Sequence, residues 1–324
     1  MPENINAMLN EHFVNIAHTK NIYLACLEDI YLLAPINYNF YKDLEYLDFD
    51  EKDLSFISLD ETLNIIRNYY KINDIPINID ELIEEGILKF VSKKDINQEE
   101  YHNKLGLSTI KNNKNYTEIV LNNTIMDSIV TIHELSHNSN LIPQNESQSR
   151  NLTTEVIAYT EELIFIDYLI SIGYEDAKTF QRHLIDLFSI NALHSLIWLK
   201  LYLLYYRTGN ITEENYNRIY ADKNFNSFKK MFQKEFKDFK HLSLDASIRN
   251  VFYTTCSLHC YMEYKKKNLS IENIKRVNEL INSDIEESLS LLRIIKNNEF
   301  NYGDIKKNLD ELKDSLTKKE LTFS

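Results

Sequence analysis

The chain has 324 residues, 44% of them hydrophobic, and a formal charge of −13. That length and apolar content support one large folded domain or two small ones rather than a disordered chain. The acidic balance argues against nucleic acid as a partner, because phosphates need a basic face to displace their counterions.

With only 5 glycines and 4 prolines, tight turns are few and long helices are favoured. The first residues, Met1 to Phe13, carry neither a basic n-region nor an apolar h-region, so no secretory signal is expected. Apolar spacing predicts a helix over 6–33. Ser58-Leu59-Asp60-Glu61 is a capping-box pattern that opens a helix running to about Tyr70, and 80–87 forms another short one.

The texture then changes. Residues 89–91 and 116–121 carry β-branched and aromatic side chains with polar loop between them, which predicts a small sheet. The second of these segments could offer an edge on which an extended peptide lies. A helix is predicted to start near Asn123 or Thr124, with Asp127 in its first turns where its charge suits the helix dipole.

That helix carries His133-Glu134-Leu135-Ser136-His137. Two imidazoles at i and i+4 project from one side of a helix and can reach one Zn²⁺, and the acid between them is placed to take a proton from water. Met126, Val130, His133 and His137 continue one stripe, so the pair should face inward. Two satisfied core imidazoles are the bland alternative.

After a polar loop over 138–151, a helix over 153–172 is hydrophobic on nearly every side and should be central. Glu155, Tyr159 and Glu162 share one face of it at i, +4 and +7. Unpaired carboxylates on a buried helix would be costly, so a metal or a hydrogen-bonded network is expected there. Glu155 comes 18 residues after His137, a separation that suits a helix, a loop and an antiparallel return supplying a third ligand. The alternative is a carboxylate capping its own helix start. Glu162 is placed to orient a ligand histidine through its free ring nitrogen, and Asp127 could do the same unless it is an ordinary first-turn acid.

Helices are predicted to continue to the end, interrupted near 207–211 and 301–303. The apolar stretches 163–172 and 193–206 contain Asp167 and Lys200 and fall short of the roughly 18 uncharged residues of a membrane span. No membrane partner is expected. Cys26, Cys256 and Cys260 are too few for a disulfide framework, and reduced thiols in a cytoplasmic setting are the simpler reading. Abundant Asn, Ile and Lys suggest a bacterial source.

Lys104-Leu105-Gly106-Leu107-Ser108-Thr109, then 116–123, Asp127, His133-Glu134-Leu135-Ser136-His137 and the run from Thr154 to Glu162 resemble the M3 family of oligopeptidases. The resemblance implies a mostly α, zincin-like domain with a small sheet before the motif helix. It implies one Zn²⁺ held by His133, His137 and Glu155, with Glu134 as general base in peptide hydrolysis. Asp127 and Glu162 match the family's acids around the site. The family also brings His and Tyr side chains from a late segment to the tetrahedral intermediate; that segment here falls over 248–264 and offers Tyr253, His259, Tyr261 and Tyr264.

Three departures stand out: Ser136 replaces the usual Gly, the loop before Glu155 is shorter, and much of the family's N-terminal helical half is missing ahead of the motif. The expected organisation is a single catalytic domain over 1–324, with a helical part to 90, the sheet and site helices over 91–172, and a helical part over 173–324. Its expected partner is a peptide or protein substrate, and its oligomeric state is open. A dedicated protease of one protein or leader peptide, or a non-catalytic regulatory module that keeps the zinc fold, are the competing readings. A panel of short quenched peptides separates a general oligopeptidase, which would cleave broadly, from a dedicated protease, which would stay silent.

Overall fold

A computed structural model describes residues 54–94, 96, 105–111, 114–140, 148–219, 226, 230, 242–280, 283–297 and 299–320. The helix expected over 6–33, Cys26, Lys104 and residues 141–147 of the predicted loop lie outside these residues, while the two ends of that loop, 138–140 and 148–151, are helical.

The fold is mostly helical with a small sheet. Helix α1 (Leu59–Ile72) starts where Ser58 accepts the Glu61 N–H at 3.2 Å, with Asp60 and Glu61 in the first turn. It buries Leu63, Ile66, Tyr69 and Tyr70. Helix α2 (Ile79–Glu84) leads into β1 (Leu88–Ser92), and β2 (Gly106–Lys111) and β3 (Lys114–Leu121) complete a three-stranded sheet in the order β1-β3-β2.

Two sequence expectations are corrected here. Gly106–Lys111 is a strand, not loop, and segment 116–121 is the middle of the sheet, paired parallel to β1 and antiparallel to β2. Among the described residues β2 is therefore an edge strand, and it lies beside the motif helix. Val120 N–H donates to the Leu105 carbonyl at 2.8 Å. By antiparallel alternation, the backbone groups of Gly106 and Ser108 then point away from β3.

Asn123 turns the chain from β3 into helix α3 (Ile125–Asn140) with a φ of 56°, a left-handed conformation that Asn tolerates better than most residues. Asp127 fixes this turn. Its two carboxylate oxygens accept the backbone N–H groups of Asn122 and Asn123 at 2.9 and 2.8 Å.

Helix α4 (Gln148–Ser171) buries Val156, Ile157, Leu163, Phe165, Ile166 and Leu169 and is central, as its all-round hydrophobicity predicts. It packs between α3 and the late helix α7 (Leu242–Lys265), which also lies along α5 (Glu175–Thr208). The chain breaks after Thr208, as expected, before α6 (Glu213–Ile219). The second predicted interruption comes slightly earlier than 301–303. After α8 (Ile271–Leu280) and α9 (Ile285–Leu291), the pair β4 (Ile295–Lys296) and β5 (Glu299–Phe300) forms a short hairpin before α10 (Tyr302–Glu320). No helix among the described residues is long and apolar enough to cross a membrane.

Candidate metal centre

The i, i+4 spacing of α3 brings the Nε2 atoms of His133 and His137 to 3.2 Å of each other. From the antiparallel helix α4, Glu155 adds a carboxylate, with Oε2 3.8 Å from His133 Nε2 and Oε1 3.5 Å from His137 Nε2. One ligand atom from each of the three lies within 4.8 Å of the others. A tetrahedral zinc with bonds of about 2.0–2.2 Å separates its donors by roughly 3.3 Å. Two imidazole nitrogens and one carboxylate at these spacings fit such an ion.

The His133 ring is anchored behind this cluster. Its Nδ1 donates to Glu162 Oε2 at 2.9 Å, one turn and more along α4 from Glu155. Burial opposes a charge on the ring. The Glu162 hydrogen bond and the charges of Glu162, Glu155 and Glu134 outweigh that and raise its pKa to about 9. Tyr159, on the same face of α4, sets its ring against His133 at 4.7 Å and 64°. Burial and the nearby carboxylates, Glu155 first, hold the Tyr159 phenol well above its ordinary range.

Glu134 faces the edge strand. A Cβ at Gly106 would lie 2.7 Å from Glu134 Cγ and 3.2 Å from Glu134 Oε1, so the missing side chain of Gly106 is the space Glu134 occupies. Ser108, two residues on and facing the same way, donates its hydroxyl to the Glu134 carbonyl at 2.9 Å. β2 is thus seated on α3 at the acid between the two histidines.

Sequence reasoning did not pick out Gly106 and Ser108 as individual contributors to the site, although the pair lay in the resembling segment. Glu161 was also missed. It is buried beside Glu162, and burial pushes its carboxyl up to about 7 against a hydrogen bond from Ser136 and the charge of His133. Ser136 of the motif helix therefore faces a polar group on α4. A buried acid next to an acid already singled out was the available signal.

The other sequence candidates divide. Tyr253 of α7 reaches the site's edge and stacks on Tyr159 with ring centroids 5.5 Å apart and 21° between planes. His259 is fully buried on another face of α7. Its Nε2 donates to the Arg293 carbonyl at 3.0 Å, and its Nδ1 accepts from Asn308 Nδ2 at 2.9 Å. Burial lowers its pKa to about 4. With both nitrogens engaged, this ring ties α7 to α10.

Tyr261 donates its hydroxyl to Asp167 Oδ1 at 3.2 Å, beside Lys265 Nζ, which donates to Asp167 Oδ2 at 3.1 Å. Asp127 caps the start of α3 as described, the ordinary first-turn role weighed against an orienting one. Burial raises its pKa in spite of the amide hydrogen bonds. Cys256 and Cys260 are buried, and burial pushes the Cys260 thiol up to about 12. They read as packing residues.

The fold has a counterpart among solved structures. A crystal structure from Bacillus anthracis str. Ames, named as a candidate oligoendopeptidase F, superposes with a TM-score of 0.53 at 13% sequence identity. The two chains share a fold. The match covers 80% of this chain and 46% of the other, so this chain spans a little under half of that neighbour's length. No protein-family model matches the sequence, and no curated protein matches it.

Proposed function

We propose that this protein is a metal-dependent peptidase of the gluzincin type, in which His133, His137 and Glu155 hold one Zn²⁺. The observation that carries the reading is the convergence of two imidazoles and a carboxylate from a second helix, with Glu134 between them set against Gly106 of β2. The shared fold with a structure named for oligoendopeptidase F supports it.

When bound, the ion supplies a Lewis acid that polarises the peptide carbonyl and lowers the pKa of water to about 7. Glu134 takes a proton from water as the water oxygen bonds to the carbonyl carbon. It gives that proton to the departing amine nitrogen as the C–N bond breaks. Glu162 holds the His133 ring through Nδ1. The outward backbone groups of Gly106 and Ser108 pair with an extended substrate, main chain to main chain. Of the late-segment residues, Tyr253 is assigned the hydrogen bond to the developing oxyanion, a role supported by its stacking on Tyr159, whose ring lies against His133.

Metal analysis of the purified protein together with digestion of a mixed peptide library tests this reading. The expected result is about one zinc per chain and cleavage that a chelator removes and zinc restores. Cleavage indifferent to chelation, or no zinc uptake, would refute it.

Metal affinity should depend on pH with a definite sign. The ion needs a neutral imidazole, and the metal-free His133 holds its proton up to about pH 9. Affinity is therefore expected to fall about tenfold for each pH unit below 9 on account of this group, and to level off above it. In the metal-free protein the sign reverses. The raised pKa contributes stability below the ordinary value of 6.5, and that contribution is lost as the pH climbs through about 9. Zinc titrations and thermal melts at several pH values measure both trends.

Glu162→Gln removes the largest influence that raises the His133 pKa. The ring should then titrate at lower pH, which by itself relieves proton competition, so the two proteins are compared above pH 9, where zinc affinity should drop roughly ten- to hundredfold because the ring's orientation is lost. Competition with a chromogenic chelator reads the affinity, and an unchanged constant would show that the Glu162 contact does not position a ligand.

A further inference from the structure

We propose that Tyr159 is a positioning residue whose ring holds the His133 imidazole in its metal-facing orientation and links it to Tyr253 on the late helix. This inference rests on the metal-centre reading above and goes beyond it, because Tyr159 is neither a ligand nor a proton carrier there.

The Glu162 hydrogen bond does not by itself fix the His133 ring. A bond to Nδ1 sets one point of the His133 ring at 2.9 Å but does not stop the ring from swinging about that point. The Tyr159 ring blocks that swing, standing against His133 at 4.7 Å and 64°.

Tyr159 is itself fixed from two other helices. Phe188 of α5 meets it edge-on at 4.7 Å and 80°, and Tyr253 of α7 stacks on it at 5.5 Å and 21°. Four helices therefore meet at this one ring: α3 through His133, α4 through its own backbone, α5 through Phe188 and α7 through Tyr253.

The helical period explains the placement. Glu155, Tyr159 and Glu162 occupy one face of α4 at i, +4 and +7, so one surface presents a carboxylate to the cluster, a ring to the imidazole and an anchor to its Nδ1. Moving α7 relative to α4 would shift Tyr253, then Tyr159, then the imidazole. The position of the late segment is thereby coupled to the geometry of the metal pair through aromatic contact.

Because the ring acts and the hydroxyl does not, the conservative variant separates this role from a direct one. Tyr159→Phe and Tyr159→Leu are compared by titration with Co²⁺ alone, reading both affinity and the visible d–d absorption that reports ligand geometry. Imidazole NMR signals of the metal-free proteins are recorded alongside.

Tyr159→Phe is expected to match the parent in affinity and spectrum. Tyr159→Leu should bind Co²⁺ about tenfold or more weakly, with a shifted absorption band, as loss of an orienting partner predicts. Its His133 signals should move and broaden in the metal-free state. If Tyr159→Leu does not fold, Phe188→Leu takes its place. That variant leaves Tyr159 present but unsupported and should weaken Co²⁺ by a smaller factor with the same spectral shift.

Parent-like affinity and spectrum in the leucine variants would overturn the proposal, and so would an equal loss in Tyr159→Phe, which would assign the role to the hydroxyl. A parent protein that takes up no Co²⁺ ends the metal reading itself. The metal-free His133 signals then still decide whether the Tyr159 ring holds the imidazole.

Discussion

Glu134→Gln is expected to leave zinc bound and to lower peptide hydrolysis by about 10²- to 10⁴-fold. The amide has nearly the shape of the acid, so it fits the space that Gly106 leaves open against Glu134 Cγ and Oε1. It cannot take a proton from water at neutral pH. The two imidazoles and Glu155 are untouched, and metal analysis should give the parent stoichiometry. Single-turnover cleavage of a peptide found in the library digest measures the loss. Activity within tenfold of the parent would assign the proton transfer to another group, and loss of zinc along with activity would make Glu134 part of the metal's own support.

The second large effect is expected from a change that adds one carbon outside the motif. Gly106→Ala would put a methyl group 2.7 Å from both Glu134 Cγ and Val130 Cγ1, closer than such atoms approach. Val130 is β-branched and on a helix, so its rotamer has little freedom to yield. Either the edge strand lifts or Glu134 rotates away.

The strand is held down by the Ser108 hydroxyl on the Glu134 carbonyl, which makes displacement of the acid the easier response. A shift of about 1 Å in a reacting group can cost on the order of 10² in rate. Turnover of Gly106→Ala should fall by about that factor with zinc affinity unchanged. Overpacking should lower stability by about 1–3 kcal/mol. Parent-like turnover in this variant would show that Glu134 does not work from the position it holds against β2.

The helical framework was legible wherever local periodicity is strong. The capping pattern at Ser58, the apolar stripe leading to His133 and His137, and the all-round hydrophobicity of α4 each correspond to observed elements. The edge strand was not legible. Gly106 weakens the β signal of its own segment, and Ser108 and Thr109 read as loop residues when their pairing with Thr117 and Tyr116 is out of sight. The same blindness put 116–121 at the edge, since strand order is a matter of partners and the alternation within one strand is silent about them.

The late segment shows the limit most clearly. Tyr253, His259 and Tyr261 lie within about two turns of one helix. Yet Tyr253 stacks on Tyr159, His259 is enclosed between Arg293 and Asn308, and Tyr261 faces Asp167. Each is ring chemistry that a sequence offers equally, and the neighbours that separate them are tens of residues away.

What the sequence determined by itself is the content of single helices: an acid bracketed by histidines on one face of α3, and Glu155, Tyr159 and Glu162 on one face of α4. The 3.6-residue period dictates those groupings whatever the helices touch. The tertiary structure alone decided that the two faces meet, that β2 supplies the edge against Glu134, and that Asp127 and His259 are engaged elsewhere. Those outcomes depend on packing between segments distant in the chain, where burial and hydrogen-bond satisfaction select one arrangement among many that local spacing permits.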